Sequence, residues 1–301
     1  MTPEESFDST SAATASTSSR LPDASRPGRV RLQVGDLRRS LSYYESVLGL
    51  RVLRREGSTA SLGAAESSDT LVELVERAGA RPSPVRRRTG LFHFAILLPD
   101  RAALGRFVTH LAAQGVHAGS SDHLVSEALY LQDPDGLGIE VYADRPRSTW
   151  RRRGSELAME SLPLDLADVA RAGGGVPWSG MPAGTVMGHV HLHVRGIPEA
   201  ESFYGMALGL DVMVRGYPGA LFLSAGGYHH HLGLNIWAGS GATPPAEDES
   251  QLLDWELLVP GREQAQAAAA RLTSAGHAVV ESARGWRMRD PSGTPMTIVA
   301  A

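Results

Sequence analysis

From Arg29 to Val34 (RVRLQV) polar and apolar residues alternate with the period of a half-buried strand. Asp36 then stands where a helix N-cap belongs, and Leu37, Leu41, Tyr44 and Leu48 follow at helical spacing until Gly49 supplies a stop. Short strand-like runs continue to about Glu76, so the first unit reads strand, helix, three strands. That order returns three times. Leu91 to Leu98 precedes a helix from Asp100 and strands ending near Tyr142; His189 to Val194 precedes a helix from about Pro198 and strands ending near Trp237; Asp254 to Val259 precedes a helix from about Arg262 and strands ending near Val299. Each βαβββ module takes roughly 50 residues, a period that marks an internal repeat. One module cannot bury both faces of its own sheet, which predicts an α+β fold in which modules pair.

The repeat is also legible as text. Tyr44 to Leu50 (YESVLGL) returns 160 positions later as Tyr204 to Leu210 (YGMALGL), and Asp133-Pro134-Asp135-Gly136 returns after 157 as Asp290-Pro291-Ser292-Gly293. The division that follows is a disordered tail over 1–27, a first unit over 28–145 (modules 1 and 2), a linker over 146–185 and a second unit over 186–301 (modules 3 and 4). The tail is rich in Ser, Thr and Ala. The linker contains the Arg151 to Arg153 run, a short helix over Leu164 to Ala172 and the breaker Gly173-Gly174-Gly175. A linker of that length relaxes which module must pair with which.

Composition narrows the chemistry. A net charge of −4 offers no electrostatic case for nucleic acid, and the absence of cysteine removes disulfides and thiolate ligands. Histidine, Asp, Glu and neutral donors remain for any metal. The N-terminus has no apolar signal-peptide core and no stretch is long and apolar enough to span a membrane, so a cytoplasmic location with no membrane partner is expected. A homo-oligomer is compatible with the sequence.

The D-L-x-x-S-x-x-Y-Y-x-x-x-L-G-L text from Asp36 to Leu50, its counterpart at Ile197 to Leu210 and the two DP-x-G turns resemble the vicinal oxygen chelate superfamily of glyoxalases, bleomycin-resistance proteins and extradiol dioxygenases. Gly90 to Arg101 (GLFHFAILLPDR), Asp122 to Asp144, Gly188 to Val194 (GHVHLHV) and Ser224 to Trp237 (SAGGYHHHLGLNIW) are similar to its bacterial catechol-2,3-dioxygenase subgroup usually called CatE. The resemblance covers about residues 28 to 301. It implies a fold of paired, cup-shaped mixed sheets, with metal ligands on the first and last strands of paired modules.

At the first-strand position the four modules carry Arg29, His93, His189 and Asp254; at the last-strand position they carry Glu73, Glu140, Asn235 and Thr297. Modules 2 and 3 together supply His93, His189 and Glu140, a two-histidine, one-carboxylate set that suits Fe(II), with Mn(II) as the alternative ion, and leaves three coordination positions open. Sequential pairing would split this set, so pairing of module 2 with 3 and of 1 with 4 is preferred. His191 shares a face with His189 and is the alternative ligand.

The resemblance further implies an acid/base histidine in module 3 and a His and a Tyr shortly before the Glu ligand. His229 and His231 lie 40 and 42 residues after His189, His123 lies 30 after His93, and Tyr130 lies 10 before Glu140. By strand alternation, His229, His231 and Asn235 share a face and His230 points the other way. The implied activity is extradiol cleavage of catechol or a substituted catechol, with O2 as co-substrate. His231 or His229 would move the substrate proton, and His123 and Tyr130 would hold the bound oxygens. The alternatives are a glyoxalase-like isomerase or lyase using a redox-inert metal, and a metal-free small-molecule binder.

Overall fold

The computed structural model describes residues 19–84 and 86–301. The tail expected over 1–27 lies outside the described residues as far as residue 18. From residue 19 the chain already belongs to the fold, since Leu21 is buried, its N–H donates to the Gly209 carbonyl, and the first strand begins at Arg26.

Module 1 comprises β1 (Arg26–Val34), α1 (Leu37–Ser46), β2 (Arg51–Glu56), β3 (Thr59–Gly63) and β4 (Val72–Glu76). Module 2 comprises β5 (Gly90–Leu97), α2 (Arg101–Gln114), β6 (Gly119–Asp122), β7 (Ser126–Gln132) and β8 (Gly138–Asp144). The intervening segment holds β9 (Arg152–Arg153), β10 (Glu156–Leu157) and α3 (Leu166–Ala172). Module 3 comprises β11 (Val186–His193), α4 (Ile197–Glu201, continued by a π-helical turn over Ser202–Ala207), β12 (Asp211–Val214), β13 (Ala220–Ser224) and β14 (Leu232–Asn235). Module 4 comprises β15 (Gln251–Val259), α5 (Arg262–Ser274), β16 (Val279–Ser282), β17 (Gly285–Arg289) and β18 (Pro295–Ala300). The helix starts follow the sequence signals: Asp36 Oδ1 accepts from the Arg39 N–H and Asp100 Oδ1 from the Ala103 N–H.

Two eight-stranded sheets result. One runs β16-β17-β18-β15-β1-β4-β3-β2 and the other β12-β13-β14-β11-β5-β8-β7-β6. Module 1 therefore joins module 4, and module 2 joins module 3, each through an antiparallel pair of first strands, β1 with β15 and β5 with β11. This is the crossed pairing that the distribution of His and Glu favours.

The repeated motifs turn out to bind each other across the sheets. Tyr44, on the helix of module 1, donates to Asp133 Oδ2 in the DPDG turn of module 2, and Tyr204 in module 3 donates to Asp290 Oδ2 in the DPSG turn of module 4. Each aspartate uses its other oxygen to close its own turn, accepting from the Asp135 and Leu137 N–H groups in one case and from Ser292 and Thr294 in the other. All four side chains are buried, and one continuous hydrophobic core draws from both sheets.

Two bulges shape the site. His191 pairs with His93 and Leu192 with Leu91, which leaves Phe92 extra on β5 and turns its ring beside His93, His191 and His193. Met187 pairs with Ile96 and His189 with Ala95, leaving Gly188 extra on β11. A side chain at Gly188 would collide with Tyr142, its Cβ falling 1.9 Å from the hydroxyl oxygen.

The segment 146–185, expected as a linker, is packed structure. Leu162 and Asp122 exchange both backbone hydrogen bonds at 2.9 Å, and α3 lies so close to α2 that a Cβ on Gly105 would stand 2.3 Å from the Val169 carbonyl.

Candidate active site

Strand alternation sends Phe94, Ile96, Ile139, Val141, Val190 and Leu192 into the core, and so aims His93 of β5, Glu140 of β8 and His189 of β11 to the opposite face. There they converge. His93 Nε2 lies 3.1 Å from Glu140 Oε2, His189 Nε2 lies 3.2 Å from the same oxygen, and the two imidazole nitrogens are 3.3 Å apart. Among the described residues this is the group of His, Asp and Glu with the spacing of a metal site.

Two tests favour a cation. Both imidazoles donating to Glu140 would leave two N–H groups facing each other at 3.3 Å, a conflict that an ion between three lone pairs removes. Ligands about 2.1 Å from one ion and at right angles to each other stand about 3 Å apart, close to the three separations here. Protonation is suitable as well. Burial raises the Glu140 carboxyl, but the neighbouring His189 and His93 outweigh it and hold the group well below the usual range. Burial depresses His189 to about 4, so its imidazole is neutral at physiological pH, as a ligand must be.

The alternative ligand His191 is not in the triangle. Its ring packs edge-on against His93 at 4.9 Å and lies over Gly233, where a Cβ would meet the ring at 2.7 Å; its Nε2 is buried without a hydrogen-bond partner. His193 donates from Nδ1 to Asn235 Oδ1 at 2.6 Å.

A cavity of about 530 Å³ opens over the triangle, lined by His93, Glu140, His191, His123 and Tyr130, by Phe92, Phe222 and Trp237, and by Met159, Leu162 and Pro163 of the segment between the halves. His123 and Tyr130 form a couple in it. His123 Nδ1–H donates to the Glu160 carbonyl at 2.6 Å, so its Nε2 accepts from the Tyr130 hydroxyl.

The HHH run departs from its expected orientation. His230 lines the cavity, with its ring 4.1 Å from that of His189, whereas His229 and His231 do not. Residues 229–231 precede β14 in an irregular turn, so strand alternation does not govern them. His231 Nδ1 accepts from the Ala225 N–H and its ring stacks on Tyr228. His229 is fully buried behind His230; its Nε2–H donates to Asp144 Oδ1 at 2.9 Å, and its Nδ1 lies 2.7 Å from His230 Nδ1. In the neutral form of His229, with its one proton donated to the carboxylate, Nδ1 accepts and His230 Nδ1–H donates. That leaves the His230 Nε2 lone pair toward the cavity. Phe92 and His230 are thus among the site residues that pattern reasoning missed, and both depend on local departures from regular strand.

A profile of the Glyoxalase/Bleomycin resistance protein/Dioxygenase superfamily matches residues 26–141. Catechol-2,3-dioxygenase of Bacillus subtilis (strain 168) is 44% identical over 276 residues, 90% of this chain and 96% of that protein. The chain belongs to the glyoxalase/bleomycin resistance protein/dioxygenase superfamily. Lactoylglutathione lyase of Neisseria meningitidis serogroup A is 31% identical over 117 residues, 36% of this chain and 83% of that protein. Among solved structures, glyoxalase I from Zea mays has the same fold at a TM-score of 0.56 and 18% identity, covering 92% of each chain.

In this superfamily member the other sheet carries ion pairs at the corresponding positions. Arg29 bridges Glu73 and Glu256, Arg284 also pairs with Glu256, and Asp254 accepts from the Thr297 hydroxyl. A guanidinium there provides the positive charge that the carboxylates require. No helix among the described residues is long and apolar enough to cross a membrane.

Proposed function

We propose that the protein is an extradiol dioxygenase that opens the ring of a catechol beside its diol, inserting both atoms of O2, at an Fe(II) centre held by His93, His189 and Glu140. The observation that carries this reading is the closing of two imidazole nitrogens and one carboxylate oxygen into a triangle of 3.1 to 3.3 Å under a cavity. The 44% identical catechol-2,3-dioxygenase supports it.

Bound Fe(II) supplies the redox route by which O2 can react with a closed-shell aromatic diol. The two-histidine, one-carboxylate set leaves positions open for exogenous groups. His230 acts as acid and base: its free Nε2 takes the proton of a catechol hydroxyl and later returns it to the ring-opened product. His229 and Asp144 are positioning residues that fix the His230 tautomer. Tyr130 and His123 hold a second proton across the cavity, ready to donate to substrate oxygen as charge develops. Phe92, Phe222 and Trp237 offer apolar ring faces against which the reacting ring packs.

The test is anaerobic reconstitution with Fe(II), addition of catechol and then O2. A yellow ring-opened semialdehyde is expected. Iron-loaded protein that forms no product across a catechol panel would rule the reading out. A glyoxalase-like reaction would instead proceed with Ni(II), Co(II) or Zn(II) and no oxygen, so the same preparation under argon separates the two.

A further inference from the structure

The cavity over the triangle is larger than a bare catechol, and its far wall has a definite chemistry. Its volume of about 530 Å³ falls within the range of roughly 300 to 1,000 Å³ typical of sites for drug-sized ligands, whereas catechol is one ring with two oxygens. Phe222 and Trp237 stand beside His191, and the segment between the halves closes the wall with Met159, Leu162 and Pro163. No Arg or Lys occurs among the described lining residues, and Glu140 is the one carboxylate. The hydroxyls of Ser161 and Tyr217 on that side share one hydrogen bond of 2.8 Å, Ser121 donates to the Leu162 carbonyl, and Ser120 completes a polar lining of neutral hydroxyls.

We propose that the substrate class is catechols bearing a bulky, uncharged apolar substituent, alkyl or aryl, and that carboxylated catechols are rejected. The inference rests on the extradiol reading for the placement of the diol at the triangle. The diol end is then fixed, and the substituent projects onto the Met159, Leu162 and Pro163 wall. A carboxylate there would lose its water and gain neutral hydroxyl donors at most, with no cation, in a site that already holds the Glu140 charge.

The experiment measures anaerobic dissociation constants and aerobic kcat/KM for catechol, 4-tert-butylcatechol, 2,3-dihydroxybiphenyl, 3,4-dihydroxybenzoate and 3,4-dihydroxyphenylacetate with Fe(II)-loaded protein. The two apolar compounds are expected to match or exceed catechol, and the two carboxylates to fall at least about 100-fold below them in both quantities. Leu162→Arg is chosen because the backbone of Leu162 is pinned to Asp122 and the residue is 38% exposed. It should raise carboxylates relative to alkylcatechols by about 10-fold or more. Carboxylates bound as well as alkylcatechols by the wild type would overturn the class. Apolar preference in binding with no turnover of any catechol would uphold the class and remove the ring-cleavage reading instead.

Discussion

The Nδ1 atoms of His229 and His230 face each other at 2.7 Å, a separation that requires one of them to carry a proton and the other to lack it. Asp144 decides which for a neutral His229, because its carboxylate accepts from the Nε2–H and leaves Nδ1 without a proton. Asp144→Asn or His229→Phe should therefore release the tautomer of His230. Nitrogen-15 NMR of metal-free protein is expected to report a protonated Nδ1 for His230 in the wild type and a mixed state in either variant. With iron loaded, kcat should fall by about 100-fold with a smaller change in KM. An unchanged His230 tautomer in both variants would contradict the assignment.

Removal of a triangle member should cost metal before it costs fold. Glu140→Gln deletes the buried charge but keeps both imidazoles, so the apo protein should fold while failing to retain stoichiometric iron through dialysis. His93→Ala and His189→Ala should behave alike, each lowering ring cleavage by about 1,000-fold or more. Metal analysis by plasma emission, alongside circular dichroism, separates loss of metal from loss of structure.

Most of the scaffold was legible in the sequence because the modules obey local rules. Asp36 and Asp100 cap their helices, and alternation along β5, β8 and β11 sorts His93, Glu140 and His189 from the core residues between them. The crossed pairing was legible only through chemistry, since neither half alone carries a complete ligand set. Three features were hidden. Phe92 enters the cavity through a bulge, which pattern cannot register; His230 faces it because 229–231 form a turn rather than strand; and the segment 146–185 looked like a spacer because its contacts, such as Leu162 with Asp122, are long-range.

The Tyr44 to Asp133 contact predicts a purely structural effect. Tyr44→Phe leaves a buried carboxyl short of one donor, and should lower unfolding free energy by about 1 to 3 kcal/mol with little change in kcat. Tyr204→Phe, which strips the same bond from Asp290, should cost a similar amount. Urea denaturation monitored by tryptophan fluorescence provides the measurement.

Acid should destabilise the metal-free protein. An unfolded chain protonates His189 near its ordinary value of 6.5, the folded chain only near 4, so the unfolded state binds the extra proton between those values and stability rises with pH across that window. His191 and His230 are depressed by burial in the same direction. Asp133, raised by burial to about 6, opposes them between 3.8 and 6, because there the folded state holds the proton. His193 and His231 are lowered as well, and Asp254 and Asp290 are raised with Asp133, so five histidines against three carboxyls predict a Tm that falls from about pH 7 to about pH 5, and a shallower fall in His189→Gln. Calorimetric scans over that range check both.

His93, His189 and Glu140, drawn from two halves of the chain, are proposed to hold the iron at which a catechol ring is opened by dioxygen. Mass spectrometry of the product formed under ¹⁸O2 tests it most directly. Iron-loaded wild type is predicted to give a ring-opened product containing two labelled oxygens at the moment of quenching, and Glu140→Gln none. A ring-opened product carrying only one label, or no ring opening by protein with stoichiometric iron, would contradict the account.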